Sequence, residues 1–390
     1  MTLAARPTIP AERYADRLDR ARASLADHGA AALLIGVGAD LRYLTGYVAM
    51  PLERLTMLVL AADGPAVLIA PRLEAMAASG SPAGVAGLVE VLPWDETDDP
   101  HVLAASRLDG LLKRAPRDAR VLVSDGLWAM HVLALQRAIP GRPFGLATEV
   151  LRELRMRKDP DEVALLRLAA HAADRVILAI AHGRLIDRTE AEVSREIADR
   201  LIDEGHELGE FGIVASGPNG ASPHHHPSDK VIVAGEPIVF DLGGPLGGYK
   251  SDTTRTVWVA GPDGAAGPDP EFLAIYELVR HANDAATKAV RSGARCGDLD
   301  AIARKVISAG GYGAQFLHRL GHGIGLETHE EPYLVGGNAE ALGAGVAFSI
   351  EPGIYLAGRY GVRIEDIVVC GATGPDVLNE STRELMVVAG

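Results

Sequence analysis

Thiols are scarce. Cys296 and Cys370 are the only cysteines in 390 residues. That excludes a disulfide scaffold and any zinc or iron–sulfur site built from thiolates. Basic side chains are also in short supply. Lys and Arg total 38 against 52 Asp and Glu, a formal net charge of −14. Nucleic-acid and anionic-membrane surfaces both select for Lys and Arg, so neither partner is expected. No stretch reaches the roughly 18 uninterrupted apolar residues that a membrane helix needs. Met1 to Pro10 lacks the apolar run of a signal peptide. A soluble, cytoplasmic protein is the expectation. No internal repeat or low-complexity segment occurs.

What is present is a long, 48% hydrophobic chain. At roughly 100–200 residues per domain it divides into two domains, with core enough to need no staples. Histidine stands out. Of 13 histidines, six (His224, His225, His226, His318, His322 and His329) fall between positions 224 and 329. In an acidic, thiol-poor chain this raises the question of a metal site with nitrogen and oxygen ligands.

Residues 1–150 alternate helix and strand signals and read as a small α/β domain. Ala11 to His28 has helical patterning, and Ala31 to Val37 is a buried strand. Leu55 to Ala61 and Ala66 to Ala70 flank Asp63-Gly64-Pro65, a hairpin signal. Val121 to Ser124 is a further strand, with a helix through Trp128 and Leu135 after it. No catalytic constellation is evident there. The breaker Pro140-Gly141-Arg142-Pro143 precedes a basic helix-like segment, Leu151 to Lys158. Asp159 then caps a helix with Pro160 in its first position, running to about Ala181. Thr189 to Glu192 fits a capping box opening a helix to about Asp203. Strands follow at Phe211 to Ala215, Val231 to Leu242 and Asp252 to Val259. Helices are expected at Glu271 to Arg291 and Leu299 to Ala309, and strands at Val346 to Ile350 and Gly361 to Val369. Residues 151–390 thus read as an α+β domain with a largely antiparallel sheet.

Four segments carry chemistry. Asp241 ends one apolar strand and Asp252 begins the next, across a Gly/Pro-rich connection. If the strands pair, two carboxylates approach and repel unless a cation holds them. The plain alternative is that each Asp starts or stops a turn. His322 lies between Gly321 and Gly323, which let a ligand approach the backbone closely, with His318 and His329 nearby. Glu351 ends an apolar strand before Pro352-Gly353, placed to project into a cavity. Alternation puts Arg363 and Glu365 on one strand face, where they form a surface ion pair or serve a site. Together Asp241, Asp252, His322, Glu351 and Glu365 make an oxygen-rich set suited to Mn²⁺, Co²⁺, Zn²⁺ or Fe²⁺. Glu327, Glu330 and Glu331 beside His329 read as a solvated face. The remaining histidines read as structural or surface groups.

These residues stand in the words Asp241-Leu242-Gly243, Ser251-Asp252-Thr253-Thr254-Arg255-Thr256, Gly321-His322-Gly323-Ile324-Gly325, Glu351-Pro352-Gly353 and Arg363-Ile364-Glu365-Asp366. Their order resembles the five-ligand signature of the pita-bread metallopeptidases, peptidase family M24, which includes methionine aminopeptidase, aminopeptidase P and prolidase. Ser216 to His224 resembles that family's segment with a substrate-facing histidine. The family's usual offset for that histidine, seventeen residues before the first Asp, implies His224 rather than His225 or His226. Leu41 to Tyr47 resembles the creatinase/prolidase-type N-terminal domain, which favours the Xaa-Pro branch.

The resemblance implies an α/β N-terminal domain (1–150) plus an α+β C-terminal pita-bread domain (151–390) of the creatinase/aminopeptidase type. It implies two divalent metal ions per chain, manganese first, with cobalt, zinc or iron as alternatives. His322 and Glu351 would hold one ion and Asp241 would chelate the other, with Asp252 and Glu365 bridging both. A metal-bridging hydroxide would attack the amide. His224 and His329 would stabilise the oxyanion, and Glu351 would shuttle the proton. His318 would line the proline pocket, with Tyr355 a further pocket residue. Arg363 would orient a bridging carboxylate or meet a substrate carboxylate. A homodimer acting on a peptide or small-molecule substrate is implied, either an Xaa-Pro dipeptidase or an aminopeptidase. A non-peptidase hydrolase or lyase on the same fold is the alternative, followed by a non-catalytic binding module.

Overall fold

Short apolar runs bounded by turn residues build the sheet of the N-terminal unit. The computed structural model describes residues 8–390, which divide into two compact units, Ile9–Arg155 and Met156–Gly390. In the first, β1 (Ala30–Gly36) is buried along its whole length and pairs antiparallel with β2 (Met57–Ala61). Gly64, at φ 88°, supplies the left-handed turn into β3 (Ala66–Pro71). With β4 (Val89–Trp94), β5 (Arg120–Val123) and β6 (Phe144–Leu146) they form one mixed sheet in the order β4-β3-β2-β1-β5-β6. The helix Ala11–Asp27 turns Leu18, Ala21 and Leu25 inward at helical spacing. Trp128 is the cap of the helix Ala129–Ala138, so that helix starts later than its sequence suggests.

Two capped helices open the second unit. Asp159 accepts from the Asp161 and Glu162 amides, Glu162 reaches back, and Pro160–Ala181 follows. The same reciprocal box between Thr189 and Glu192 starts Glu190–Asp203. Both pack on a four-stranded sheet made of β7 (Phe211–Ser216), β8 (Glu236–Gly243), β11 (Thr253–Val259) and β19 (Met386–Val388), in the order β19-β11-β8-β7. The short hairpin β9 (Pro245–Leu246) and β10 (Tyr249–Lys250) joins β8 to β11. A five-stranded antiparallel sheet is built from β12 (Gly321–Gly323), β13 (Glu330–Leu334), β14 (Ala347–Ile350), β17 (Asp366–Cys370) and β18 (Pro375–Val377), in the order β13-β12-β14-β17-β18. The ribbon β15 (Gly353–Leu356) with β16 (Tyr360–Arg363) lies between β14 and β17 in sequence. The helices Pro270–Ala289 and Cys296–Ala309 close a second core around Phe272, Tyr276, Phe348 and Val362. Among the described residues, no helix is long and apolar enough to cross a membrane.

Several boundaries in this unit depart from the sequence reading. β8 begins at Glu236 rather than Val231, after Gly235 takes a left-handed φ of 87°. It also runs on to Gly243, so Asp241 lies inside the strand instead of ending it. The run Gly361 to Val369 is not one strand: it breaks at Ile364-Glu365, between β16 and β17. The second helix of the later pair starts at Cys296, one turn earlier than expected.

Candidate metal centre and active-site cleft

Strand alternation delivers the first candidate ligand. Ile238, Phe240 and Leu242 of β8 enter the core under the two capped helices, so Asp241 faces the opposite side. Its cross-strand partner on β11 is Thr254, and Asp252 stands just ahead of that strand. His322 occupies the middle of β12. Its flanking glycines are needed for close approach. A Cβ on Gly321 would fall 1.9 Å from the Ser349 carbonyl oxygen, and one on Gly323 2.2 Å from that of Glu331. Glu351 follows β14, and Glu365 occupies the break between β16 and β17.

These side chains converge. His322 Nε2 lies 3.2 Å from Glu351 Oε1 and 3.5 Å from Asp252 Oδ2. Its Nδ1–H donates to the Gly323 carbonyl at 3.1 Å, which aims Nε2 at the carboxylates. Candidate ligand atoms form three overlapping sets, each within 4.8 Å: Asp252, His322 and His329; His322, Glu351 and Glu365; Asp241, Asp252 and Glu365. Asp252, His322 and Glu365 each belong to two sets, so the three sets join into one cluster.

The electrostatics fit bound cations. Asp241 Oδ1 and Glu365 Oε1 are buried without any hydrogen-bond partner, an arrangement that costs free energy unless something else satisfies them. Burial, then the charges of Glu365, Asp241 and Glu351, push Asp252 well above the usual carboxylate range. Burial and the charges of Glu351 and Asp241 do the same to Glu365. Burial also raises Asp241, with Arg363 opposing it. Burial alone would lift Glu351 too, but the hydrogen bond and charge of His322 outweigh it and hold that group low. So many buried carboxylates ionise together only around positive charge. The donor set of carboxylates and one imidazole suits two divalent ions.

A hydrogen-bonded frame surrounds these side chains. Arg363, buried, donates through Nη2 to Asp241 Oδ2 (2.6 Å), through Nε to Thr254 Oγ1 (3.0 Å) and through Nη1 to Tyr355 Oη (2.9 Å). Thr254 Oγ1 in turn donates to Glu365 Oε2 at 2.8 Å. Arg363 can only donate, so the Tyr355 hydroxyl is left to donate to His318 Nε2, 2.8 Å away. His318 Nδ1–H meets the Arg319 carbonyl at 2.8 Å. Both of its nitrogens are engaged, and burial lowers its pKa, so it offers a neutral ring. Ser349 Oγ accepts from the His322 amide at 3.1 Å and donates to Glu351 Oε1 at 3.2 Å. Beneath the floor, buried Arg255 bridges Asp366 Oδ1 (2.7 Å) and the Glu365 carbonyl.

Nine of the ten residues singled out from the sequence line one cleft of about 780 Å³; Tyr355 stands behind His318 and Arg363. His224 and His329 are solvent-accessible. Desolvation, then the neighbouring His322 ring with its centroid 4.1 Å away, push His329 down to about 4, so it is neutral at pH 7. Arg363 and Glu365 share the cleft, yet Arg363 is ion-paired with Asp241. Thr254 and Arg255 sit inside the sequence words, and Ser349 two residues before one, but they gave no signal of their own, since hydroxyls and a strand arginine acquire meaning only from their partners. One expectation fails: Glu330 is not on a solvated face but buried against Lys158, because β13 carries it inward.

Residues 164–372 match the family model of metallopeptidase family M24, and residues 17–157 match the creatinase/prolidase N-terminal domain. The chain is 45% identical to the probable dipeptidase PepE of Mycobacterium tuberculosis over 379 residues, 97% of each chain. It is 33% identical to the Xaa-Pro dipeptidase of Lactobacillus delbrueckii subsp. lactis over 377 residues, covering 95% of this chain and 98% of that one. The crystal structure of dipeptidase PepE from Mycobacterium ulcerans superposes with a TM-score of 0.89 at 44% identity, covering 97% of this chain and 99% of that one.

Proposed function

The chain belongs to metallopeptidase family M24, and on that premise we propose that it is a dinuclear-metal dipeptidase that hydrolyses the bond preceding proline. One observation carries the reading: the three ligand sets overlap through Asp252, His322 and Glu365. His322 and Glu351 would hold one ion and Asp241 the other, with Asp252 and Glu365 shared. Divalent ions bound there supply Lewis acidity toward the amide carbonyl and lower the pKa of a water to near neutrality. Manganese is the first assignment for a site of carboxylates and one imidazole.

The chain's own residues do the rest. Glu351 takes up the proton released on attack and delivers it to the leaving nitrogen. That delivery matters because an amide to proline has no N–H, and its nitrogen departs only once protonated. Neutral His329 and accessible His224 donate hydrogen bonds to the carbonyl oxygen as charge develops. His318, with both nitrogens occupied, presents its ring to the proline.

A dipeptide carries its free carboxylate one residue past the scissile bond. Arg319 lines the same cleft with its guanidinium over Tyr333, 4.3 Å from the ring centroid, and that side chain makes no hydrogen bond or ion pair among the described residues. It is our candidate for that carboxylate. A cytoplasmic homodimer completes the reading, tested by mass in solution. The deciding experiment supplies Xaa-Pro dipeptide and Xaa-Pro-Yaa tripeptide in parallel with added Mn²⁺. Dipeptide turnover alone supports the proposal. Tripeptide turnover shifts it to an aminopeptidase, and cleavage of neither favours a non-peptidase hydrolase or lyase.

A further inference from the structure

Glu190 is the first residue of the helix Glu190–Asp203, yet it is fully buried. Its two carboxylate oxygens collect donors from a loop that is distant in sequence. Oε1 accepts from the Ser216 amide and hydroxyl, both at 2.8 Å, and from Asn219 Nδ2 at 3.0 Å. Oε2 accepts from His225 Nε2 (2.8 Å) and from the Ser228 hydroxyl (2.7 Å) and amide (3.1 Å). Burial would raise this carboxyl, but the donors from Ser216, Ser228, His225 and Asn219 bring it down to about 2.

The partners mark the beginning, middle and end of the segment 216–228, which carries Pro223, His224 and His226 along the cleft. Exposure alternates through it: His224 and His226 are exposed, while His225 between them is drawn in toward Glu190. The other side of the segment rests on β16. A Cβ on Gly361 would lie 1.9 Å from the Gly220 carbonyl oxygen, and the Pro223 carbonyl accepts from Arg363 Nη1 at 3.3 Å. One carboxylate is therefore the inner anchor of a cleft wall whose outer contacts reach the arginine holding Asp241.

We propose that Glu190 is the positioning residue of this wall: it fixes the 216–228 loop through Ser216, Asn219, His225 and Ser228, and so sets where His224 meets the substrate. The inference rests on the reading of His224 as a substrate-side group. Glu190 touches neither substrate nor any proposed ligand, so its effect passes through the loop. Misplacing a reactive-site group by about 1 Å can cost on the order of 100-fold in rate.

The test uses the full-length, Mn²⁺-loaded protein and the variants Glu190→Gln, His224→Ala and the double variant. Gln keeps the shape, but its amide nitrogen confronts donors where the carboxylate accepted. Glu190→Gln is expected to lower kcat/KM on Leu-Pro by about 10–100-fold, with metal content per chain unchanged. The double variant is expected to be no slower than His224→Ala alone. Hydrogen exchange across 217–228 should rise at least about tenfold in Glu190→Gln, with protection elsewhere retained. Multiplication of the two single effects, or unchanged exchange in the loop, overturns the proposal. If the wild type cleaves no Xaa-Pro peptide, the function reading fails, and the exchange measurement still decides the role of Glu190. If Glu190→Gln does not fold, His225→Ala, which removes one anchor, is read by the same cycle and the same exchange criterion.

Discussion

Arg363 Nη2 donates to Asp241 Oδ2 at 2.6 Å, while Oδ1 of the same carboxylate is buried with no hydrogen-bond partner. One oxygen is oriented by the protein and the other is left for a ligand, the arrangement by which outer groups aim a metal ligand. Arg363→Lys keeps the charge but not the fork that also reaches Thr254 and Tyr355. It is expected to weaken metal binding by about 10–100-fold, read by titrating the apoprotein with Mn²⁺. Unchanged affinity would remove Arg363 from this role.

Asp252→Asn removes one of the two carboxylates proposed to be shared. Metal content and Xaa-Pro hydrolysis should fall together, measured by elemental analysis and steady-state rates on the same sample. Full hydrolysis by a metal-free variant would sink the dinuclear mechanism.

The chelated protein should be most burdened at high pH. Asp241, Asp252 and Glu365 have raised folded values. The stability they contribute when protonated is fully present below the unfolded range of about 4 and is lost as pH rises through their folded values. Metal relieves the repulsion. The difference in Tm between holo and apo protein is therefore expected to widen as pH rises above the unfolded range of about 4. A constant difference would contradict the coupling.

Glu190 carries the opposite sign. Its value falls from 4.5 to about 2 in the fold, so its contribution is present above 4.5 and is lost as pH falls toward 2. Wild type should lose stability over that window faster than Glu190→Gln does, as read from urea midpoints at stepped pH. Parallel curves would mean that the carboxylate is not ionised in the fold.

Arg319→Ala is expected to raise KM for an Xaa-Pro dipeptide by about tenfold or more, the scale of losing one charged hydrogen bond. The KM for the corresponding C-terminal amide should change little. Equal effects on both substrates would point to packing against Tyr333 instead.

Much of the site is legible in the order of residues along the chain. Asp241, Asp252, His322, Glu351 and Glu365 announce themselves because charges in apolar strands and Gly-rich turns violate local preference, and local preference is written in the chain. The capping boxes at Asp159 and Thr189 are readable for the same reason: both partners lie within three residues. The strand break at Ile364-Glu365 is not, since alternation continues through it and only the pairing partners change.

The sequence by itself determined most element types, the order of the candidate ligands and the acidic, thiol-poor chemistry of the site, all of them short-range or compositional properties. Tertiary structure alone decided the partnerships. Arg363 meets Asp241 across 122 positions, and Glu190 gathers donors up to 38 positions away. Lys158 takes Glu330 out of solvent across 172. A hydrogen bond needs its atoms within about 3 Å. Two residues far apart in sequence reach that distance only when the sheets between them are packed.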